Sequence, residues 1–503
     1  MSIETRTLNQ NAGSALKWNY LGVAVRSLSS LSIGIALARL LGPKPFGLVA
    51  VAMLLIGFGN LLADFGFGAA IVQRDSLSEK DIRFVFFFQM LLGVIVGLAC
   101  FLGAGVVANV FRNEEVTPVI RALSLTFPLQ AFGQTASSLL KRQLAFRALQ
   151  FAQVGSTIAY LLIAITLAML GFGVWALVIA QLVQVSLSSA IAYSLAPHTL
   201  LFSFRINRSI LAFGLKVLGS SFANWSISNL DNAFVGRAFG VVALGLYSRA
   251  FQLAIAPILA VASGLQGVLL AAYSRAQHRE DALRRVYLAS VALMAVAVVP
   301  MFAAAAVASS TIILALYGRA WIESARLFVP LALAMPLFAL LTLAGPLLWA
   351  TGKVGHEFKV QLATAGVAVA VFAVTSRVSV VSLAWGVLGV YAFRLLGMTR
   401  EIVRHLKVTW IEVGLALRGG LVLAVLTSAS VWISDGLMVR IALPPLVRMV
   451  VDIAITLSIT VVPLSMAPYV VLGSHADLVL SQIRMMMPES VGRFIPRVRI
   501  AES

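Results

Sequence analysis

Apolar residues run along this chain in blocks of about twenty or more, separated by short polar clusters or Gly/Pro turns. The blocks fall near 14–40, 46–72, 84–110, 118–140, 148–170, 174–196, 213–236, 241–272, 286–308, 325–350, 357–376, 379–399, 413–433 and 444–472. A helix needs roughly 20 apolar residues to cross a bilayer. The pattern therefore predicts about fourteen transmembrane helices in an all-α polytopic membrane protein. The connections alternate in character. Gln73–Arg83, Lys141–Arg147, Pro197–Arg208 and Ser274–Arg285 are charged, whereas Gly42–Pro45 and Gly171–Gly173 are short Gly/Pro turns.

Placing the N-terminus in the cytoplasm assigns 24 Lys/Arg to cytoplasmic loops and flanks and 10 to the opposite ones, with Arg26, Arg249, Arg394 and Arg418 left inside spans. That asymmetry orients the chain with both ends cytoplasmic. The polar stretch Met1–Gly13 leads into an apolar run too long for a signal peptide and without an evident cleavage site, so no segment is expected to be removed. Arg394 and Arg418 fall near cytoplasmic helix ends, where their side chains can snorkel.

Composition narrows the class. Of 503 residues 60% are hydrophobic and only 11% charged, with a mean hydropathy of +0.97, which excludes a water-soluble enzyme, a disordered chain and a secreted scaffold. A net charge of +19 would point to nucleic acid in a soluble protein; here the cytoplasmic loops account for most of it, and no nucleic-acid partner is expected. Cys100 stands alone in an apolar run and reads as a buried, inert thiol. The five histidines, His198, His278, His356, His405 and His475, read as solvated loop residues without metal spacing. Asp64-Phe65-Gly66 spells a kinase triplet but lacks the accompanying Gly-rich and HRD segments, and no Walker motif occurs. No cofactor is expected beyond a coupling H+ or Na+.

An internal repeat is visible at an offset of 198 residues, where Arg39, Gly42, Gly47, Leu48 and Ala52 meet Arg237, Gly240, Gly245, Leu246 and Ala250. The register continues as Glu79, Arg83 and Val85 meet Glu280, Arg284 and Val286, and Pro128 meets Pro336. An even number of helices per copy predicts two pseudo-symmetric six-helix lobes related by an axis along the membrane normal. The expected division is 1–208 for the N-lobe, 209–410 for the C-lobe, 411–473 for two further helices and 474–503 for a basic cytoplasmic tail. In that tail Arg484, Arg493, Arg497 and Arg499 interleave with Met485–Met487, Phe494 and Ile495, as suits the membrane surface.

Polar groups within spans are the candidate functional residues. A charge near the bilayer centre costs roughly 2.5–3.5 kcal/mol on insertion scales, so it should face a partner or a wet cavity. Arg26 shares one helical face with Asn19 and Ser30. Repeat equivalents Asn224 and Ser228 continue through Ser221 and Asp231, flanked by Asn229 and Asn232. Asn60 and Asp64 lie four residues apart on the second helix, and Arg249, Gln252 and Gln266 lie on the eighth. For the amides and hydroxyls, interhelical hydrogen bonding worth about 0.6 kcal/mol each is the plainer reading. The expected substrate-binding set is Arg26, Ser30, Asn60, Asp64, Asn224, Asn229, Asp231, Asn232, Arg249 and Gln252. Arginine binds phosphate oxygens and stays charged, so a cavity lined by it implies an anionic cargo. Asp64 and Asp231 either hold those arginines in place or bind a coupling cation.

Every outer connection is under about 20 residues, leaving little room for catalytic groups and favouring transport over catalysis. Ala38-Arg39-Leu40-Leu41-Gly42-Pro43 through Phe46-Gly47, then Asp64-Phe65-Gly66-Phe67-Gly68 through Gln73-Arg74, resembles the opening of bacterial polysaccharide exporters. Gly171-Phe172-Gly173-Val174-Trp175 and Asn229-Leu230-Asp231-Asn232 through Gly236-Arg237, Gly240 and Leu244–Ser248 strengthen the resemblance. Together these are similar to the polysaccharide transporter branch of the multidrug/oligosaccharidyl-lipid/polysaccharide exporter superfamily, which includes Wzx-type flippases. One departure is Ala271-Ala272-Tyr273-Ser274-Arg275, which lacks the proline often found before the serine closing helix 8. The resemblance implies a bacterial inner-membrane carrier that moves an undecaprenyl-diphosphate-linked oligosaccharide from the cytoplasmic to the periplasmic leaflet for exopolysaccharide or lipopolysaccharide synthesis. It also implies two lobes rocking about a cationic cavity, with polymerase and chain-length proteins as candidate partners. The alternatives are a cation-coupled drug exporter of the same superfamily, disfavoured by the excess of arginine over carboxylate in the spans, and an integral enzyme or scaffold of polysaccharide assembly.

Overall fold

A computed structural model describes residues 29, 31–74, 77–200, 208–276, 279–473, 476, 477 and 479. Side chains are described there except at 208–213, 216, 220, 223, 260–268, 270–272, 274–276 and 354. Arg26, Ser30 and Asn19, and nearly all of the basic tail, thus lie outside the described residues. Helix is the only regular structure among the residues described, and the chain forms two compact units, 1–249 and 250–503.

The first unit runs through α1 (Leu31–Leu41), α2 (Pro43–Asp64), α3 (Phe67–Gln73), α4 (Glu79–Phe111), α5 (Val116–Leu123), α6 (Thr126–Arg142), α7 (Phe146–Met169) and α8 (Val174–Leu195). It ends inside α9 (Arg208–Ala276), which continues into the second unit. There follow α10 (Glu280–Val307), α11 (Ser309–Leu316), α12 (Glu323–Ala350), α13 (Val354–Thr375), α14 (Val380–Leu406), α15 (Trp410–Arg440), α16 (Pro445–Met466) and α17 (Pro468–Leu472).

Eleven helices among the described residues are long and apolar enough to cross a membrane, against about fourteen expected. Three local features account for the difference. Only 31–41 of the first expected helix is described in full. The expected helix over 118–140 is divided into α5 and α6, of 8 and 17 residues. Pro128 in the first turn of α6 has no N–H for the carbonyl of Ser124, which instead accepts from the Phe127 N–H at 3.3 Å. Finally, the expected helices 213–236 and 241–272 run together as α9, with non-helical backbone at Gly240. The block over 46–72 is also interrupted, because Phe65 and Gly66 adopt left-handed backbone between α2 and α3.

The repeat has a backbone counterpart in the first unit. Gly42 (φ 70°, ψ −177°) and Gly240 (φ 82°, ψ 178°) share a conformation that is essentially confined to glycine. Five residues on, a Cβ at Gly47 would lie 1.7 Å from the Val241 carbonyl oxygen, and one at Gly245 would lie 2.2 Å from that of Pro43. Only hydrogen at these two positions lets α2 and the second arm of α9 cross backbone against backbone. The crossing brings the Arg249 guanidinium over the Phe46 ring, 4.0 Å from its centroid.

In the second unit α10 packs along α15 and α12 along α14. Leu421, Val425 and Trp432 of α15 and Val450, Ile453 and Leu457 of α16 are exposed, an apolar exterior suited to lipid. At the charged ends, Ser78 with Asp81 and Thr409 with Glu412 form reciprocal capping boxes. Glu412 also pairs with Arg284.

Cys100 is buried in α4 with a free thiol. The histidine expectation needs correction. His356 and His405 lie in α13 and α14, and His198 is half-buried, its ring 5.0 Å from Phe86 and 5.4 Å from Tyr193. Burial holds the His198 pKa below the usual histidine value.

Candidate functional site

α2, α4 and α6 line a small, half-open recess whose polar lining is Asn60 and Asp64 from α2, Gln89 from α4, and Gln130 and Gln134 from α6. Each outer helix contributes a pair four residues apart, the spacing that stacks side chains on one face. Gln134 Nε2 donates to Asp64 Oδ1 at 3.1 Å, and Asp64 is the last residue of α2, directly before the Phe65–Gly66 interruption. Broken helices of this kind occur within membranes where they line a cavity that satisfies the freed polar groups.

Gln89 is the most constrained member. It is 1% exposed, its Oε1 accepts from Thr135 Oγ1 at 2.6 Å, and its Nε2 has no hydrogen-bond partner among the described residues. A buried amide nitrogen left unmatched costs about 1–3 kcal/mol, so a polar guest or ordered water at Gln89 would be favoured. Among the described residues the lining contains a single carboxylate and no lysine or arginine. Carboxamides both donate and accept, which matches the hydroxyls of a neutral polyol better than it matches a phosphate.

The other expected site residues are placed as follows. Asp231 is buried and accepts from Tyr247 Oη at 2.6 Å and from Asn232 Nδ2 at 3.2 Å. It thereby clasps the two arms of α9 across Gly240. Asn229 Nδ2 donates to the Trp225 carbonyl at 3.0 Å, and Ser228 Oγ donates to that of the exposed Asn224 at 2.9 Å. Arg249 stacks on Phe46, and Gln252 is exposed on the part of α9 in the second unit. Of the described members of the expected set, the recess brings together Asn60 and Asp64. Sequence reasoning missed Gln89, Gln130 and Gln134 because it followed the repeat to α2 and α9. The available signal was the Gln130/Gln134 pair, two amides at helical spacing inside an apolar block.

Comparison with known proteins agrees with this architecture. The teichuronic acid biosynthesis protein TuaB of Bacillus subtilis (strain 168) is 25% identical over 60% of this chain and 63% of its own length. The chain thus spans less than two thirds of that relative. The succinoglycan biosynthesis transport protein ExoT of Rhizobium meliloti (strain 1021) is 27% identical over 68% of this chain and 67% of its own. The lipopolysaccharide biosynthesis protein WzxC of Escherichia coli (strain K12) is 24% identical over 71% and 73%. Among solved structures, the lipid II flippase MurJ in an inward closed conformation superposes with a TM-score of 0.71 at 12% identity, over 90% of this chain and 98% of that one. An inward-facing multidrug resistance MATE family transporter of the MOP superfamily gives 0.57 at 21% identity, over 78% and 99%. These two likenesses concern the fold. The polysaccharide biosynthesis protein family matches residues 36–326, more than half of the sequence and the segment that builds the α2/α4/α6 recess, and this chain belongs to that family.

Proposed function

We propose that this chain is a flippase that carries a polyprenyl-diphosphate-linked oligosaccharide from the cytoplasmic to the outer leaflet of a bacterial inner membrane. Undecaprenyl diphosphate is the proposed carrier lipid. The observation that carries the reading is the amide-lined recess with one unmatched, buried Gln89 nitrogen, set inside the family-matched segment. Sugar hydroxyls both donate and accept, and so suit the Asn60–Asp64 and Gln130–Gln134 faces. Under the expected orientation the recess opens in the cytoplasmic half, since Gln134 lies two turns before Arg142 at the charged end of α6. That is the side on which a lipid-linked unit would be loaded.

In this scheme Arg26 and Arg249 attract the diphosphate, the amides hold the sugar and the prenyl chain stays in lipid. Net movement requires the two states of the carrier to differ in affinity, and a coupling H+ or Na+ or removal of product by downstream polymer synthesis supplies the bias. A drug-export role is less well supported, because a cationic drug calls for an acidic cavity and the recess holds one carboxylate. The deciding experiment replaces Gln89 by Leu, Asp64 by Asn or Arg26 by Ala and follows polymer export together with the sidedness of lipid-linked intermediates. Intermediates should accumulate in the cytoplasmic leaflet. Undiminished export by well-expressed variants would sink the proposal.

A further inference from the structure

α16 is attached to its unit through charge. Of its twenty-two residues only Arg448 and Asp452 are buried, at 8% and 5% exposure, one turn apart on a single face. They meet Ser434 and Asp435 near the end of α15 and Thr311 of α11. Arg448 Nη1 lies 3.4 Å from Asp435 Oδ1, and Thr311 Oγ1 lies 2.8 and 2.9 Å from the two oxygens of Asp435. Asp435 is thus matched by a cation and a hydroxyl.

Asp452 is not. Its Oδ1 lies 3.0 Å from Ser434 Oγ, but that hydroxyl also lies 3.2 Å from the Val431 carbonyl and has one hydrogen to give. Its Oδ2 is buried without a hydrogen-bond partner among the described residues. The single guanidinium nearby is thus taken up by Asp435, while Asp452 stays buried one turn away on α16. The helices packed against α16 are α10, α11, α15 and α17, and they bring no second buried cation. α11 has no titratable residue, the charged residues of α10 lie in its first turns at Glu280–Arg285, and α17 has only Tyr469, which donates to Asp477 at 2.8 Å. Arg440 at the end of α15 is exposed.

We propose that Asp452 is a proton-binding site, neutral while α16 is docked, and that release of its proton loosens α16 from α11 and α15. A neutral carboxyl donates from Oδ1 to Ser434 Oγ, frees the Ser434 hydrogen for Val431, and leaves Oδ2 as an uncharged carbonyl oxygen. One proton meets all three contacts. A metal cation would need several more oxygens and would sit beside the Arg448 charge. The inference is independent of the substrate proposed above, because it concerns helices that line no part of the recess.

The test is infrared difference spectroscopy of the full chain in nanodiscs, wild type minus Asp452→Asn, with thermal unfolding followed across pH. The wild type should show a protonated-carboxyl band persisting above the pH at which exposed carboxyls ionise, and Asp452→Asn should remove it. Asp435→Asn leaves Asp452 as the counter-ion of Arg448, so the band should then require roughly tenfold more protons, one pKa unit. Because the folded state holds a proton that the unfolded chain releases, wild-type stability should fall as pH rises, while Asp452→Asn stays flat. No band in the wild-type minus Asp452→Asn difference, or a stabilisation that follows Na+ and not pH, would overturn the proposal. Should Asp452→Asn not fold, the Asp435→Asn titration decides alone, an unshifted band counting against it.

Discussion

The recess of the first unit and the ionic face of α16 in the second treat buried polarity in opposite ways. Around the recess three helices contribute four amides and one carboxylate about a small half-open space, and a buried nitrogen is left unmatched. At α16 Arg448 is packed directly against Asp435, and a helix otherwise turned outward is held by that ion pair with Asp452 beside it. Neutral amides around a void can exchange hydrogen bonds with a guest at little cost, whereas a buried ion pair tolerates no loss of a partner. The first arrangement suits passage of a ligand, and the second suits attachment of an element.

That contrast can be broken at its stiffest point first. Arg448→Ala leaves Asp435 without its cation and should destabilise by about 3–5 kcal/mol, seen as a lowered unfolding temperature and faster proteolysis near 441–444. Asp452→Asn at neutral pH should be close to neutral. Next, Gln134→Leu removes the donor to Asp64 and should cost about 1–3 kcal/mol, with polymer export reduced in parallel. Gln89→Leu should separate the two readouts: it loses the Thr135 bond, about 1 kcal/mol of stability, while export falls by a larger factor than Gln134→Leu produces for the same destabilisation. Equal loss of export per unit of stability in both variants would make the recess merely structural.

The smallest expected effect lies outside both regions. Because burial holds the His198 pKa below that of the unfolded chain, the unfolded state binds more protons between the two values and stability falls as pH drops through that window. Acidification from about pH 7.5 to about pH 5.5 should therefore lower the unfolding temperature slightly in the wild type and less in His198→Phe, which keeps the ring contacts with Phe86 and Tyr193.

Much of the architecture was legible in the residue pattern. Apolar blocks mark where helices form because a bilayer admits a backbone only when its hydrogen bonds are satisfied internally. The 198-residue offset likewise pairs Gly42 with Gly240, two backbones alike in conformation. The interruption at Phe65–Gly66 and the division at Pro128 were not legible in the block lengths, since both sit inside continuous apolar stretches.

The residues alone determined an all-helical chain built for lipid, with its cations biased to one side and a family likeness carried by its Gly-rich motifs. Periodicity fixes which face of a helix a side chain occupies but not which neighbour that face meets. Only the tertiary structure gathered Gln89 with Gln130 and Gln134, tied Asp231 to Tyr247, and turned Arg448 from a residue expected at a loop edge into the anchor of α16. Such partners come from helices dozens of positions apart, and their meeting is set by packing, which no local pattern encodes.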